Sequence, residues 1–232
     1  MTDTGDATTS TSHTRTAATP QALHELTVRE LVSRLATRDP VPGGGSASAL
    51  AGALAAALTS MVTALTEGRT ASDEDAATNR EIAVAAAGAQ SELVNMISVD
   101  AAAYDGVVQA RRLPRGTDPE RRNRRVQIEH ATRQATDAPL QTARMAARVL
   151  ALAERLVPVG NPHAISDVGV AAHLAAAVVR GAALNVRINL PGLTVGPDDE
   201  LAGANDELDE LLASAAAGEA RVAAGVRRRM EG

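Results

Sequence analysis

Apolar residues along the 232-residue chain recur at helical spacing, and no stretch alternates at the two-residue period of a half-buried strand. Thr27 with Glu30 forms a capping-box pattern that opens a helix to about Arg38. The run Asp39-Pro40-Val41-Pro42-Gly43-Gly44-Gly45 then breaks the chain, and Ser46 is placed to cap a helix to about Thr66. After the polar segment GRTASDED, the pattern predicts a long helix from about Asp73 to Leu113. Another follows from Pro119 to Val157, with Pro139 inside it as an expected kink. A helix from Pro162 to about Leu190 and a last one from Pro197 complete the set. A capping residue or glycine followed by proline marks starts at Thr19-Pro20, Asp118-Pro119, Asn161-Pro162 and Gly196-Pro197. The expected fold class is all-α, an antiparallel bundle of long helices over residues 19–232 as a single domain. Residues 1–18, rich in Thr, Ser and Ala without an apolar run, read as a disordered tail.

Polar residues interrupt this pattern at a few positions. The stripe of Ile82, Ala86, Ala89, Leu93 and Met96 continues to Val107 and Val108, and heptad counting from Ala86 through Leu93 lands on Asp100. A carboxylate therefore occupies a core position, with Tyr104 one turn on along the same face. A buried carboxylate needs a partner or a function: either a helix–helix bond that fixes register, or chemistry. The segment Val168–Val179 is apolar almost all round, and the helix around it is broken only by Asp167, His173, Arg180, Asn185, Arg187 and Asn189. Asp167 and Asn185 share a face but lie five turns, about 27 Å, apart. They would serve two sites, or one site completed by another subunit. Asn161 reads equally well as a helix cap.

The glycines at 43–45 form neither a Walker A motif nor a dinucleotide fingerprint. They offer free N–H groups at a helix start to an anionic or carbonyl group, or they let the following Ala/Gly helix enter a crowded core.

Composition narrows the chemistry. Alanine dominates, cysteine, tryptophan, phenylalanine and lysine are absent, and Tyr104 is the single aromatic residue. Cysteine nucleophiles, zinc–thiolate sites, Schiff bases and the phosphate-loop lysine are thereby excluded. With 23 basic residues, all arginine, against 28 acidic ones, the net charge is −5, and without stacking residues no nucleic-acid partner is expected. His130, His163 and His173 match no metal-ligand spacing, so no metal is expected. Nothing requires an oxidising compartment, and the expected location is the cytoplasm. Ser46–Thr66 is uncharged and long enough to span a bilayer, but it lacks an aromatic belt and basic flanks. A buried central helix is the expectation, with no membrane partner. Arg121, Arg122, Arg124 and Arg125 read as a solvated helix start or as an attractor for a polyanionic ligand tail.

Four blocks occur in an order that resembles the cyclodeaminase/methenyltetrahydrofolate cyclohydrolase family, which includes the C-terminal domain of formiminotransferase-cyclodeaminase. They are VPGGGSASALAGALAAALTSMV from Val41, VDAAAYDGVVQARRLP from Val99, ATDAPL from Ala135 and GNPHAISDVGVAAHLA…GAALNVRINL from Gly160. The resemblance implies an all-helical domain, dimeric in the family, acting on folate-bound one-carbon units. A tetrahydrofolate derivative is then the substrate and small-molecule partner. The implied reaction is hydrolysis of 5,10-methenyltetrahydrofolate to 10-formyltetrahydrofolate. The alternatives are cyclodeamination of formiminotetrahydrofolate with ammonia release, a related reaction on another one-carbon or amidine-type substrate, or a non-catalytic folate- or partner-binding protein. By the same resemblance Asp100, Asp167 and Tyr104 are the candidate catalytic residues, and Gly43, Gly44, Gly45, Ser46, Asn161, Ser166, Asn185 and Asn189 the candidate binding residues. Two departures stand out: Arg115 where the family usually has lysine, and Gly68-Arg69-Thr70-Ala71-Ser72 where it carries an aromatic residue.

Overall fold

A computed structural model describes residues 22–196 and 199–231. The expected tail, the Thr19-Pro20 start and Pro197 lie outside the described residues. The chain forms six α-helices and no strand among those residues: α1 Val28–Leu35, α2 Gly44–Thr66, α3 Asp73–Arg112, α4 Asp118–Val159, α5 Ile165–Asn189 and α6 Ala204–Glu231. Short 3₁₀ turns precede α1 and α5 and follow α5.

Local chemistry sets most of the helix starts. The Thr27 hydroxyl accepts from the Glu30 amide, while the Glu30 carboxylate accepts from the Thr27 amide at 2.9 Å, completing the capping box of α1. Thr117 and Glu120 do the same for α4, so Asp118 is the first helical residue rather than the cap. Pro139 is buried inside the unbroken span of α4. Two expectations change. Gly43, without a side-chain cap, starts α2, so Ser46 sits inside the first turn instead of capping it. The last helix begins at Ala204, seven residues later than the proline signal suggested.

α2 runs antiparallel to both α3 and α5. Along α3, Gly45 meets Asp100, Gly52 meets Leu93, and the Thr63 carbonyl accepts from Asn79. Along α5, Gly44 meets Asn185, Ser48 meets Gly181, and the Thr66 hydroxyl accepts from the Asn161 amide. Glycine and alanine make this closeness possible: a Cβ on Gly52 would lie 3.0 Å from a Leu93 methyl. Fully buried Val62, Ile82, Leu93, Val149, Leu156, Ile165, Val168 and Val179 fill the centre. α6 covers α4 and α5 through Ala215 and Val222, with Arg144 and Glu207 paired at 2.6 Å beside it. α3 and α4 continue past the start of α2 as a separate hairpin, held by Val107, Ala110, Ala131 and Ala135.

By length and composition alone, α2, α3 and the Pro162–Gly192 segment could each cross a membrane. Half of the apolar window in α2 and in Pro162–Gly192 is buried inside the bundle. The central position expected of α2 is what the packing gives it.

Candidate active site

The N-terminus of α2, the middle of α3 and the C-terminus of α5 converge on a cleft of about 260 Å³. It is lined by Gly43, Gly44 and Gly45 from the start of α2, Asp100 and Tyr104 from α3, and Asn185 and Asn189 from α5. Pro40, Val41, Ala135 and Ile188 complete the wall.

Asp100 is held by the helix it faces. The first N–H groups of a helix have no intrahelical acceptor, and α2 has no side-chain cap of its own. The Ser46 hydroxyl donates to Asp100 Oδ2 at 3.0 Å, and the Ser46 amide also bonds the carboxylate. Asp100 thus caps α2 from another helix. The fit explains Gly45: a Cβ there would stand 1.9 Å from Asp100 Oδ1, so any side chain would displace the carboxylate. Burial pushes the Asp100 carboxyl above its ordinary range, and the Ser46 hydroxyl and amide pull it partly back. A carboxylate with a raised proton affinity is a stronger base than a solvated one.

The two asparagines face the same space. Asn185 spends its amide group on the Gly181 carbonyl at 3.0 Å, leaving Oδ1 on the Gly44 side. Asn189 donates to the carbonyls of Ala135 at 2.9 Å and Asn185 at 3.1 Å, which ties α5 to α4 at the cleft floor. Both carbonyl oxygens remain without a partner among the described residues. The cleft therefore presents one carboxylate and two amide oxygens, with Tyr104 at its edge, half exposed. Such a set of acceptors suits a cationic ligand carrying N–H donors. Among the described residues, no group of three or more His, Asp and Glu is placed to hold a metal ion.

Three sequence candidates do not reach this cleft. Asn161 is buried at the other end of α2, about 33 Å away along the helix. Its amide donates to Thr66 Oγ1 at 2.8 Å, its Nδ2 to the Leu65 carbonyl at 2.9 Å, and its Oδ1 accepts from the His163 amide at 3.0 Å. Every polar atom it would offer a ligand is engaged in joining α2 to the turn before α5. Ser166 and Asp167 follow in the first turn of α5, at that same far end. Asp167 has no partner among the described residues, and within one chain it does not line the Asp100 cleft. Conversely, sequence reasoning missed Pro40, Val41 and Ile188. Ile188 is 79% exposed, an apolar wall beside two asparagines, and only its helical phase with them could have pointed to it.

Comparison with known proteins shows which family this helical chain belongs to. The formiminotransferase-cyclodeaminase family model matches residues 27–206. A methenyltetrahydrofolate cyclohydrolase of Methylorubrum extorquens is 39% identical over 185 residues, 80% of this chain and 86% of that protein. The formimidoyltransferase-cyclodeaminase of Mus musculus is 32% identical over 174 residues, 75% of this chain but only 32% of that much longer protein. A solved formiminotetrahydrofolate cyclodeaminase from Thermotoga maritima superposes with a TM-score of 0.75 at 26% identity, covering 88% of this chain and 98% of that one. The chain belongs to the formiminotransferase-cyclodeaminase family.

Proposed function

We propose that the chain hydrolyses 5,10-methenyltetrahydrofolate to 10-formyltetrahydrofolate in the Asp100 cleft. The substrate is an amidinium cation whose central carbon bridges N5 and N10. Water adds to that carbon and loses a proton to give a neutral carbinolamine. N5 then takes up a proton as the carbon–N5 bond breaks, and the carbinol hydroxyl gives up its proton to become the formyl C=O. The formyl group stays on N10, with one proton released overall. Asp100 meets two needs of this sequence: its charge stabilises the bound cation, and its oxygen accepts the proton of the attacking water. Tyr104 is the other proton-bearing side chain in the cleft wall and supplies the acid at N5. The amide oxygens of Asn185 and Asn189 orient the heterocycle through its N–H groups. The observation that carries this reading is the Asp100 carboxylate, held on the α2 N-terminus against Gly45 and raised in proton affinity by burial.

Cyclodeamination is the second reading, favoured by its being the named activity of the mouse relative and of the Thermotoga protein. It uses the same cationic centre, with ammonia rather than N5 as the leaving group. Two parallel assays separate the readings: loss of methenyltetrahydrofolate absorbance, and ammonia release from formiminotetrahydrofolate. Turnover only in the second assay would replace hydrolysis with deamination, and turnover in neither would remove the folate assignment.

We also propose that the protein works as a homodimer. Leu54, Met61 and Leu65 form an exposed stripe on α2, which carries no charged residue along its whole length. A second copy covers such a face without introducing an unpaired charge. Light scattering at micromolar concentration should give twice the chain mass; a monomer would contradict the dimer.

A further inference from the structure

Of the five isoleucines in the chain, Ile82, Ile97 and Ile165 are buried in the core, and Ile128 packs partly buried against the hairpin cluster. Ile188 alone stands out in solvent. An exposed aliphatic residue means little by itself, and Leu184, one turn earlier on α5, is nearly as exposed. The two differ in place: Ile188 lines the Asp100 cleft and Leu184 does not.

The walls of the cleft rise from the start of α2. Gly45 faces Asp100 of α3, and Gly44, about 100° round the helix, faces Asn185 of α5. Both wall helices run antiparallel to α2, so the residues that follow Asp100 and Asn185 extend beyond its first turn. Tyr104 lies about 6 Å further along α3 than Asp100, and Ile188 about 4.5 Å further along α5 than Asn185. One wall thus carries the Tyr104 ring and the other an aliphatic side chain, at similar heights above the carboxylate.

The polar groups of the cleft suit the edge of a flat heterocycle and leave its two faces unattended. Asp100 lies at the base, and Asn185 and Asn189 offer amide oxygens to in-plane N–H groups. The faces of such a ring are largely apolar and gain by leaving water. The chain has no phenylalanine or tryptophan, and Tyr104 is its single aromatic residue, so the face away from Tyr104 has to be covered by an aliphatic side chain. On the α5 wall, Ile188 is the one apolar residue among the described ones, set between the two asparagines.

Resting on the folate reading above, we infer that Ile188 is a substrate-binding residue. Its side chain packs on the face of the bound heterocycle turned away from Tyr104, so that the two residues grip the ring over Asp100. The ligand then buries the aliphatic surface that the bundle leaves in water, and Ile188 contributes to binding rather than to the chemical step.

The test compares the parent with Ile188→Ala, Ile188→Val and Leu184→Ala, all at exposed positions, with folding checked by circular dichroism. On methenyltetrahydrofolate, Ile188→Ala should raise KM about ten-fold or more and keep kcat within about three-fold, the mark of lost binding rather than lost chemistry. Ile188→Val should recover most of the loss, and Leu184→Ala should match the parent. A second readout needs no turnover. Tyr104 fluorescence is the chain's only aromatic emission and comes from the cleft wall, so it reports titration with 5-formyltetrahydrofolate, which has no amidinium to hydrolyse. Ile188→Ala should weaken that binding by a similar factor. Parental KM and parental analogue binding in Ile188→Ala would overturn the clamp and leave the folate reading intact. Equal losses in Ile188→Ala and Leu184→Ala would overturn it too, because a property of the whole α5 surface would then be responsible. Analogue binding that Ile188→Ala weakens, in a parent that turns over neither folate, supports the clamp and sinks the catalytic reading alone. A parent that neither binds the analogue nor turns over either folate would overturn both.

Discussion

The two ends of the α2–α5 pair have similar polar equipment and put it to opposite use. At the far end, Asn161, Thr66 and Leu65 spend their polar atoms on one another, in a buried cross-link between helix and turn. At the near end, Asn185 and Asn189 spend only their amide groups on backbone, and the Asp100 carboxylate and both amide oxygens face the cleft. The difference shows what distinguishes a site from a joint in an alanine-rich bundle. A joint satisfies its polar groups completely, whereas a site leaves acceptors facing space that a ligand can fill.

The largest expected effect that would break this contrast comes from Gly45→Ala. Its Cβ would collide with Asp100 Oδ1, and the carboxylate, at the end of a side chain, can turn away without unfolding the bundle. Methenyltetrahydrofolate turnover should fall by about 10² or more, with helical content retained by circular dichroism. A variant of near-parental activity would detach the glycine from the chemistry.

Ser46→Ala is milder and sharper. It removes the hydroxyl that lowers the Asp100 proton affinity, so that affinity rises further. Because the base must be ionised, activity falls as pH drops through the Asp100 pKa, and the acid limb of the kcat profile should move to higher pH. The limb staying in place would mean that Asp100 is not the titrating base.

At the joint, Asn161→Ala should cost about 1–3 kcal/mol of stability through unpaired buried groups, read as a lowered denaturation midpoint, while kcat stays within two-fold. Asp167→Asn, in the first turn of α5 at the same end, should change turnover least, again by less than two-fold. A hundred-fold loss of kcat in either would bring the far end into the chemistry.

Much of the bundle was legible because α-helical periodicity and capping chemistry are local. The capping box at Thr27 and the long span of α3 follow from residues close in sequence, whereas at α4 the cap is Thr117, one residue before the Asp118 to which the proline signal pointed. Asp100 was legible for the same reason, as a carboxylate in a heptad core position. What held it was not, because its partners lie 54 residues away. Ser46 looked like a cap, yet the helix starts at Gly44 because Asp100 supplies an acceptor from α3. Asn161 and Asp167 came into the candidate set with Asn185 through a shared sequence block. The 1.5 Å rise per residue already set Asp167 and Asn185 about 27 Å apart in the sequence, and the structure puts Asn161 just before the start of α5, at the Asp167 end. Pro40, Val41 and Ile188 carry no chemical signal at all and became visible only as walls.

The central claim is that the near end, through Asp100, does the chemistry, and Asp100→Asn tests it most directly. The substitution keeps the shape of the side chain and removes its charge and basicity. Burial raises the carboxyl in the folded state, so its contribution favours folding below the unfolded pKa and is lost as pH rises through the folded one. At neutral pH the variant should therefore denature no more easily than the parent. The measurement is the rate of methenyltetrahydrofolate absorbance loss for parent and Asp100→Asn at equal concentration. A fall of about 10²–10⁴ in the folded variant is the expected result; a rate within a few-fold of the parent's would contradict the assignment of the chemistry to Asp100.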